Sequence, residues 1–207
     1  MMDFETFKQK VVDRWIKRDF ERILEGVPVI PGGDGNINFL LALGVLSYME
    51  ALGSFLLGKD CDFKQNVKEY IEKCFSKPDE YPIGILKDIY RHGLAHEYFA
   101  RGGVSRKGKH PAVFRDPNIG PVLDAETLAN DFLLSLEKFK TELKKENYEN
   151  RMKKLVDKIE KVQKDNEENI NRLPSEKTTS ISTSTCDVSS KNSSESNLNQ
   201  YITQPPL

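Results

Sequence analysis

The chain has 207 residues, 38% of them hydrophobic and 30% charged, with a formal net charge of −1. That length suits one ordinary domain with an appendage. The balanced charge argues against a protein that coats duplexes, which needs a strong basic excess, and leaves room only for a local basic patch.

Phe4, Phe7, Val11, Trp15 and Ile16 recur at helical spacing and predict a first helix over 3–25. Residues 27–35, Val-Pro-Val-Ile-Pro-Gly-Gly-Asp-Gly, form a loop by their proline and glycine content. No Lys-Ser or Lys-Thr follows, so this is not a phosphate loop. Asn36 or Asn38 is placed to cap a second helix that runs to Leu57 and stops at Gly58. It is apolar nearly all round, as a central core helix would be, and Glu50 in its middle argues against a membrane span. A third helix is expected over 63–75, with Val67, Tyr70, Ile71 and Cys74 as its apolar stripe. A fourth starts near Tyr81-Pro82, where proline suits a first turn, extends to Phe99 and ends at Gly102-Gly103. Pro111, Pro117 and Pro121 exclude a helix between Val104 and Val122. Residues 112–114 and 119–123 are expected there as two short strands around Asp116-Pro117-Asn118. Asp124 is a good N-cap for the last long helix, which carries Leu128, Phe132, Leu136, Phe139 and Leu143.

These elements predict an all-α domain, a helical bundle over 1–145 with a short irregular or β-hairpin insertion. Residues 146–172 are expected as a charged amphipathic helical extension, with Met152, Leu155, Val156, Ile159, Val162 and Ile170 at helical spacing. Residues 173–207, rich in Ser, Thr and Asn, are expected as a disordered tail. Cys61, Cys74 and Cys186 show neither a disulfide framework nor metal-ligand spacing, and their odd number fits a reducing compartment. The segment Met1-Met2-Asp3-Phe4-Glu5 lacks the basic start and apolar core of a signal peptide. A cytoplasmic location is expected.

The chemistry concentrates in Arg91-His92-Gly93-Leu94-Ala95-His96, on the fourth helix. With Arg91 as zero on a wheel of about 100° per residue, His92 falls near 100° and His96 near 140°. The two histidines are four apart and neighbour each other. Gly93 costs roughly 1 kcal/mol in mid-helix, so it marks close backbone packing or an indifferent position. A histidine can deprotonate a ribose 2′-hydroxyl or protonate a leaving 5′-oxygen near neutral pH. An arginine grips phosphate oxygens in a fork and offsets charge in the transition state. Such a reaction needs no metal, and no cofactor is expected. Spacing alone leaves open a plainer reading, a helix whose histidines are buried and hydrogen-bonded or simply exposed. Downstream, Arg101, Arg106, Lys107, Lys109 and Arg115 occur without an acidic residue, and His110 adds a titratable group. Arg101, Arg106, Lys107 and Lys109 are candidate RNA contacts; a solvated loop is the alternative.

The hexapeptide Arg91–His96 resembles the hallmark of the HEPN superfamily (higher eukaryotes and prokaryotes nucleotide-binding): an arginine, a polar residue, a few further positions, then a histidine. Residues 46–53, Leu-Ser-Tyr-Met-Glu-Ala-Leu-Gly, resemble the segment that carries an acidic position on an earlier helix of many members. The resemblance covers roughly residues 1–145. It implies a helical bundle that dimerises with the two motif helices facing across a symmetric cleft. It also implies a metal-independent ribonuclease that leaves a 2′,3′-cyclic phosphate and serves in toxin-antitoxin or antiviral systems. Arg91 and His96 would be the catalytic pair, His92 would orient or assist, and Glu50 would hold Arg91 by an ion pair. Some members only bind nucleotides or partners, so a noncatalytic binding module is the alternative. Arg91, His96 and Tyr98 together resemble the extended motif of toxins paired with a minimal nucleotidyltransferase antitoxin, where the tyrosine is adenylylated. Tyr98 is thus a candidate modification site, or else a tyrosine packed under the dimer interface, and an antitoxin or nucleotidyltransferase partner is implied. The proline-rich region, charged helix and tail depart from a compact toxin of that type.

Overall fold

A computed structural model describes residues 3–28, 37–59, 61–97, 101–108, 111–145 and 147–172. Asn36, Tyr98, Phe99, Lys109, His110 and the tail from residue 173 lie outside the described residues. The fold is a helical bundle with a small three-stranded sheet inserted, as the sequence predicts. Its helices fall in one compact unit, Met1–Asn166, save the short α8 (Glu167–Asn171), which belongs to a second unit, Glu167–Leu207.

The first helix is continuous over 4–26: α1 (Phe4–Phe7), a π-helical stretch Lys8–Lys17, then α2 (Arg18–Gly26). Asp3 caps it, its Oδ1 accepting the Thr6 N–H at 2.8 Å. The π-helical turns, with i→i+5 bonds, change which side chains face inward. Phe7, Val12, Ile16 and Phe20 are buried, whereas Val11 is only half-buried and Trp15 is 51% exposed. An apolar stripe read at the α-helical spacing 7-11-15 therefore slips by one residue.

The second helix, α3 (Asn38–Leu57), is central; it packs on α4 (Phe63–Cys74) and α6 (Ala125–Lys145). It is long and apolar enough to cross a membrane by length and composition, and it contributes Leu41, Val45, Leu46, Met49, Leu52 and Leu56 to the core. Asn38 does not cap it. Ile37 precedes the helix at φ 53, and Asn38 lies inside it, its amide reaching the Val104 carbonyl at 3.5 Å. Gly58 ends it in the left-handed conformation, its N–H bonding Ser54 O at 2.9 Å.

The backbones of α3 and α4 approach closely at Gly53. A Cβ there would sit 1.9 Å from the Asn66 carbonyl oxygen and 2.6 Å from its carbon. Backbone cannot swing aside as a side chain can, so Gly53→Ala forces the two helices apart. An expected loss of about 2–4 kcal/mol follows, because overpacking is added to displaced core contacts. Urea denaturation checks it: a midpoint within error of the parent would show that the helices separate freely.

In α4 the expected stripe, Val67, Tyr70, Ile71 and Cys74, is buried, and Asp62 caps the helix through Oδ1 to Gln65 N at 2.9 Å. The motif helix follows over 83–97: α5 (Ile83–Ile85), π-helical Leu86–Arg91, His92, and π-helical Gly93–Glu97. Strand β3 (Gly120–Asp124) lies between β1 (Gly103–Ser105), parallel to it, and β2 (Val113–Asp116), antiparallel. The two later strands match the expected hairpin. The three-residue β1 is too short to show alternation and was not foreseen. The chain passes from the motif helix to this sheet through Gly102, where a Cβ would lie 2.6 Å from Pro121 O and 3.0 Å from Ile89 Cγ2. That contact explains the glycine.

Residues Tyr148–Asp165 form a helix of their own, α7, distinct from α6. Its start belongs to the bundle: Tyr148 and Met152 are buried, and Phe4 stacks edge-on to Tyr148 at 5.1 Å. Arg151 donates to the Phe55 and Leu56 carbonyls and Lys154 to Gly58 O at 3.1 Å. These bonds satisfy carbonyls that the end of α3 leaves without intrahelical partners. Packing thus runs past residue 145.

Candidate active site

Four segments meet at one cleft of about 440 Å³, lined by Glu50, Phe63, Lys87, Asp88, Arg91, His92, His96 and Arg101. On an α-helical wheel Arg91 and His96 diverge by about 140°. The i→i+5 bonding through this stretch widens the turn and brings residues five apart towards one line. Both then line the same cleft. Buried Leu86, Tyr90, Gly93 and Leu94 seat the helix on the core and turn the motif outward.

Glu50 reaches the cleft from the middle of α3. Arg91 Nε and Nη2 donate to its Oε2 at 3.3 and 3.2 Å. Both side chains are about a third exposed, Arg91 at 27% and Glu50 at 30%. The guanidinium carbon also lies 5.9 Å from the centre of the Phe63 ring, within cation–π range. The arginine is therefore held on two sides, with its Nη1 amino group left for a ligand oxyanion. His92 and His96 are exposed, their ring centroids 4.9 Å apart. The arrangement offers a fixed cation beside two imidazoles open to solvent, which suits binding a phosphate and moving protons next to it.

The expected residues Glu50, Arg91, His92, His96 and Arg101 are brought together here. Phe63, Lys87 and Asp88 join them without having been foreseen. Lys87 and Asp88 precede Arg91 by four and three residues, so helical spacing could have flagged them. Phe63 comes from another helix, and nothing local in its sequence marks it.

The basic stretch divides. Arg101 lines the cleft, and Lys107 is exposed but outside the lining. Arg106 needs correction as a candidate RNA contact. It is 2% exposed, and its guanidinium donates to Glu126 Oε2 at 3.1 Å, Val27 O at 2.6 Å and Leu24 O at 3.0 Å. It ties off carbonyls at the end of α2 and cannot present its charge to a phosphate backbone. Among the described residues, no three His, Cys, Asp or Glu side chains are grouped as they would be around a metal ion. No family model, curated protein or solved structure matches the chain.

Proposed function

We propose that the protein is a metal-independent endoribonuclease that cuts by attack of the ribose 2′-hydroxyl, acting as a toxin or antiviral effector in the cytoplasm. The observation that carries this reading is the convergence of Glu50, Arg91, His92 and His96 on one cleft from two helices. In the reaction, one imidazole takes the 2′-hydroxyl proton as that oxygen bonds to phosphorus. The bond from phosphorus to O5′ breaks, and O5′ receives a proton from a second, protonated imidazole. The products are a 2′,3′-cyclic phosphate and a 5′-hydroxyl. Arg91 holds the non-bridging oxygens as negative charge builds on them. One motif helix presents its two imidazoles side by side rather than on opposite faces of a phosphate. A homodimer joining two motif helices supplies an acid and a base across the scissile bond. The resemblance to HEPN ribonucleases points the same way.

Replacing the ribose at the cut site with 2′-deoxyribose removes the nucleophile. Cleavage of the all-RNA strand and none of the substituted strand is the expected pair of results. Equal cleavage of both, or binding without cleavage of either, favours the noncatalytic or another nuclease reading.

Glu50→Gln gives a graded check. The expected result is a fall of about tenfold in kcat, since Arg91 loses its anion but keeps the Phe63 ring. Stability should change by less than about 1 kcal/mol, because the pair is partly exposed and solvent screens it. Steady-state kinetics beside thermal unfolding separates these. A loss of stability that matches the loss of rate would make Glu50 a folding residue instead.

A further inference from the structure

The cleft carries a cation that the cleavage steps leave unused. Lys87 lies one helical turn before Arg91 and lines the same cleft. Its ammonium is 3.7 Å from Asp62 Oδ2. That carboxylate is itself anchored, because its other oxygen caps α4 through the Gln65 N–H at 2.9 Å. An ammonium has three donors, so one carboxylate neighbour leaves it able to bind a second acceptor. Arg101 lines the cleft as well, its backbone N–H bonded to Ile89 O at 3.1 Å. Of the two acidic lining residues, Glu50 is engaged by Arg91 and Asp88 stands exposed. Lys87, Arg91 and Arg101 place three cations along the cleft, beside the carboxylates of Glu50, Asp88 and Asp62. Lys87 precedes Arg91 by four residues within one π-helical stretch, close to one of its turns, and both side chains line the same cleft. A strand whose scissile phosphate rests on Arg91 can thus offer its next phosphate to Lys87.

Resting on the reading of Arg91 as the holder of the scissile phosphate, we propose that Lys87 binds an adjacent phosphate of the same strand, steered by Asp62 and supported by Arg101. The protein then selects RNA that carries at least one phosphate beyond the bond it cuts. Lys87 is a positioning and specificity residue, and it takes no part in proton transfer.

The test measures binding and salt dependence for a dinucleoside monophosphate and a tetranucleotide. Full-length protein is used in the His96→Ala background, with Lys87, Lys87→Gln or Lys87→Arg. With Lys87 present, lengthening the ligand should tighten binding about tenfold or more, the worth of one good charged contact. Lys87→Gln should lose most of that gain, and its log–log salt slope for the tetranucleotide should fall by about 0.7, the value of one single-strand phosphate contact. Lys87→Arg should restore both. A Lys87→Gln protein with the full length-dependent gain and an unchanged slope overturns the proposal, as does an arginine variant no better than the glutamine one. Turnover of the two RNAs by protein with His96 intact is measured in parallel. If neither RNA is cut, the ribonuclease reading fails, while the length-dependent binding still decides the role of Lys87.

Discussion

Arg91→Ala and His96→Ala should each lower RNA cleavage by about 10²–10⁴-fold, the range for losing a general acid–base or an oxyanion donor. The double variant should be scarcely slower than the worse single one, because the two act on one transition state and their losses do not add. Neither change should unfold the protein. His96 is exposed. Arg91 touches Glu50 and the Phe63 ring at a partly exposed site, where such contacts are worth at most about 1 kcal/mol. Initial rates in chelator, with circular dichroism and thermal midpoints on the same samples, check both halves. A folded Arg91→Ala protein that cuts at the parental rate removes the arginine from the mechanism.

The second large effect is on stability, at Asp124. This carboxylate is wholly buried and accepts five hydrogen bonds. They come from the Thr127 N–H and hydroxyl, the Lys107 and Gly108 N–H groups and the Ser105 hydroxyl. One residue thus caps α6, fixes the end of β1 and holds the loop after it. Asp124→Ala removes the cap and strands several buried donors. A loss of about 3–5 kcal/mol is expected, and urea midpoints check it.

Burial alone would raise the Asp124 carboxyl's pKa. The backbone N–H groups of Thr127 and Lys107, with the Thr127 and Ser105 hydroxyls, outweigh burial and hold it below the ordinary carboxylate value. Since the folded value lies under the unfolded one of about 3.9, the stabilisation is fully present above that unfolded value. It is lost as pH falls through the folded value. Asp124→Asn should start less stable at neutral pH and show a shallower acid decline. An acid decline as steep as the parent's would assign that sensitivity to other carboxylates.

Much of this molecule is legible in its sequence where structure is local. The stripe of α4, the Gly58 stop and the Asp124 cap follow from spacing and backbone preference, and each is found in place. What escapes is what depends on distant chain or on non-standard helical bonding. The π-helical stretch at Lys8–Lys17 buries Val12 beside the expected Ile16 and leaves Val11 half-buried and Trp15 exposed. The same bonding at 86–97 turns Arg91 and His96 towards one line, and both line the same cleft. Arg106 looks like its exposed basic neighbours in sequence, yet it is consumed by carbonyls of the first helix some 80 residues away. Phe63 enters the cleft only because α4 packs beside α3. The Glu50–Arg91 ion pair, by contrast, is one that the resemblance of residues 46–53 and 91–96 implies, and the two side chains lie 3.2 Å apart.

The most direct measurement of the central claim is the chemistry of the ends left on RNA. Purified protein is incubated with a labelled single strand in chelator, and the product termini are identified by mass spectrometry. The account predicts 2′,3′-cyclic phosphate and 5′-hydroxyl ends from the parent and intact RNA from the Arg91→Ala and His96→Ala proteins. Intact RNA from the parent, or the same ends in equal yield from all three proteins, would contradict it.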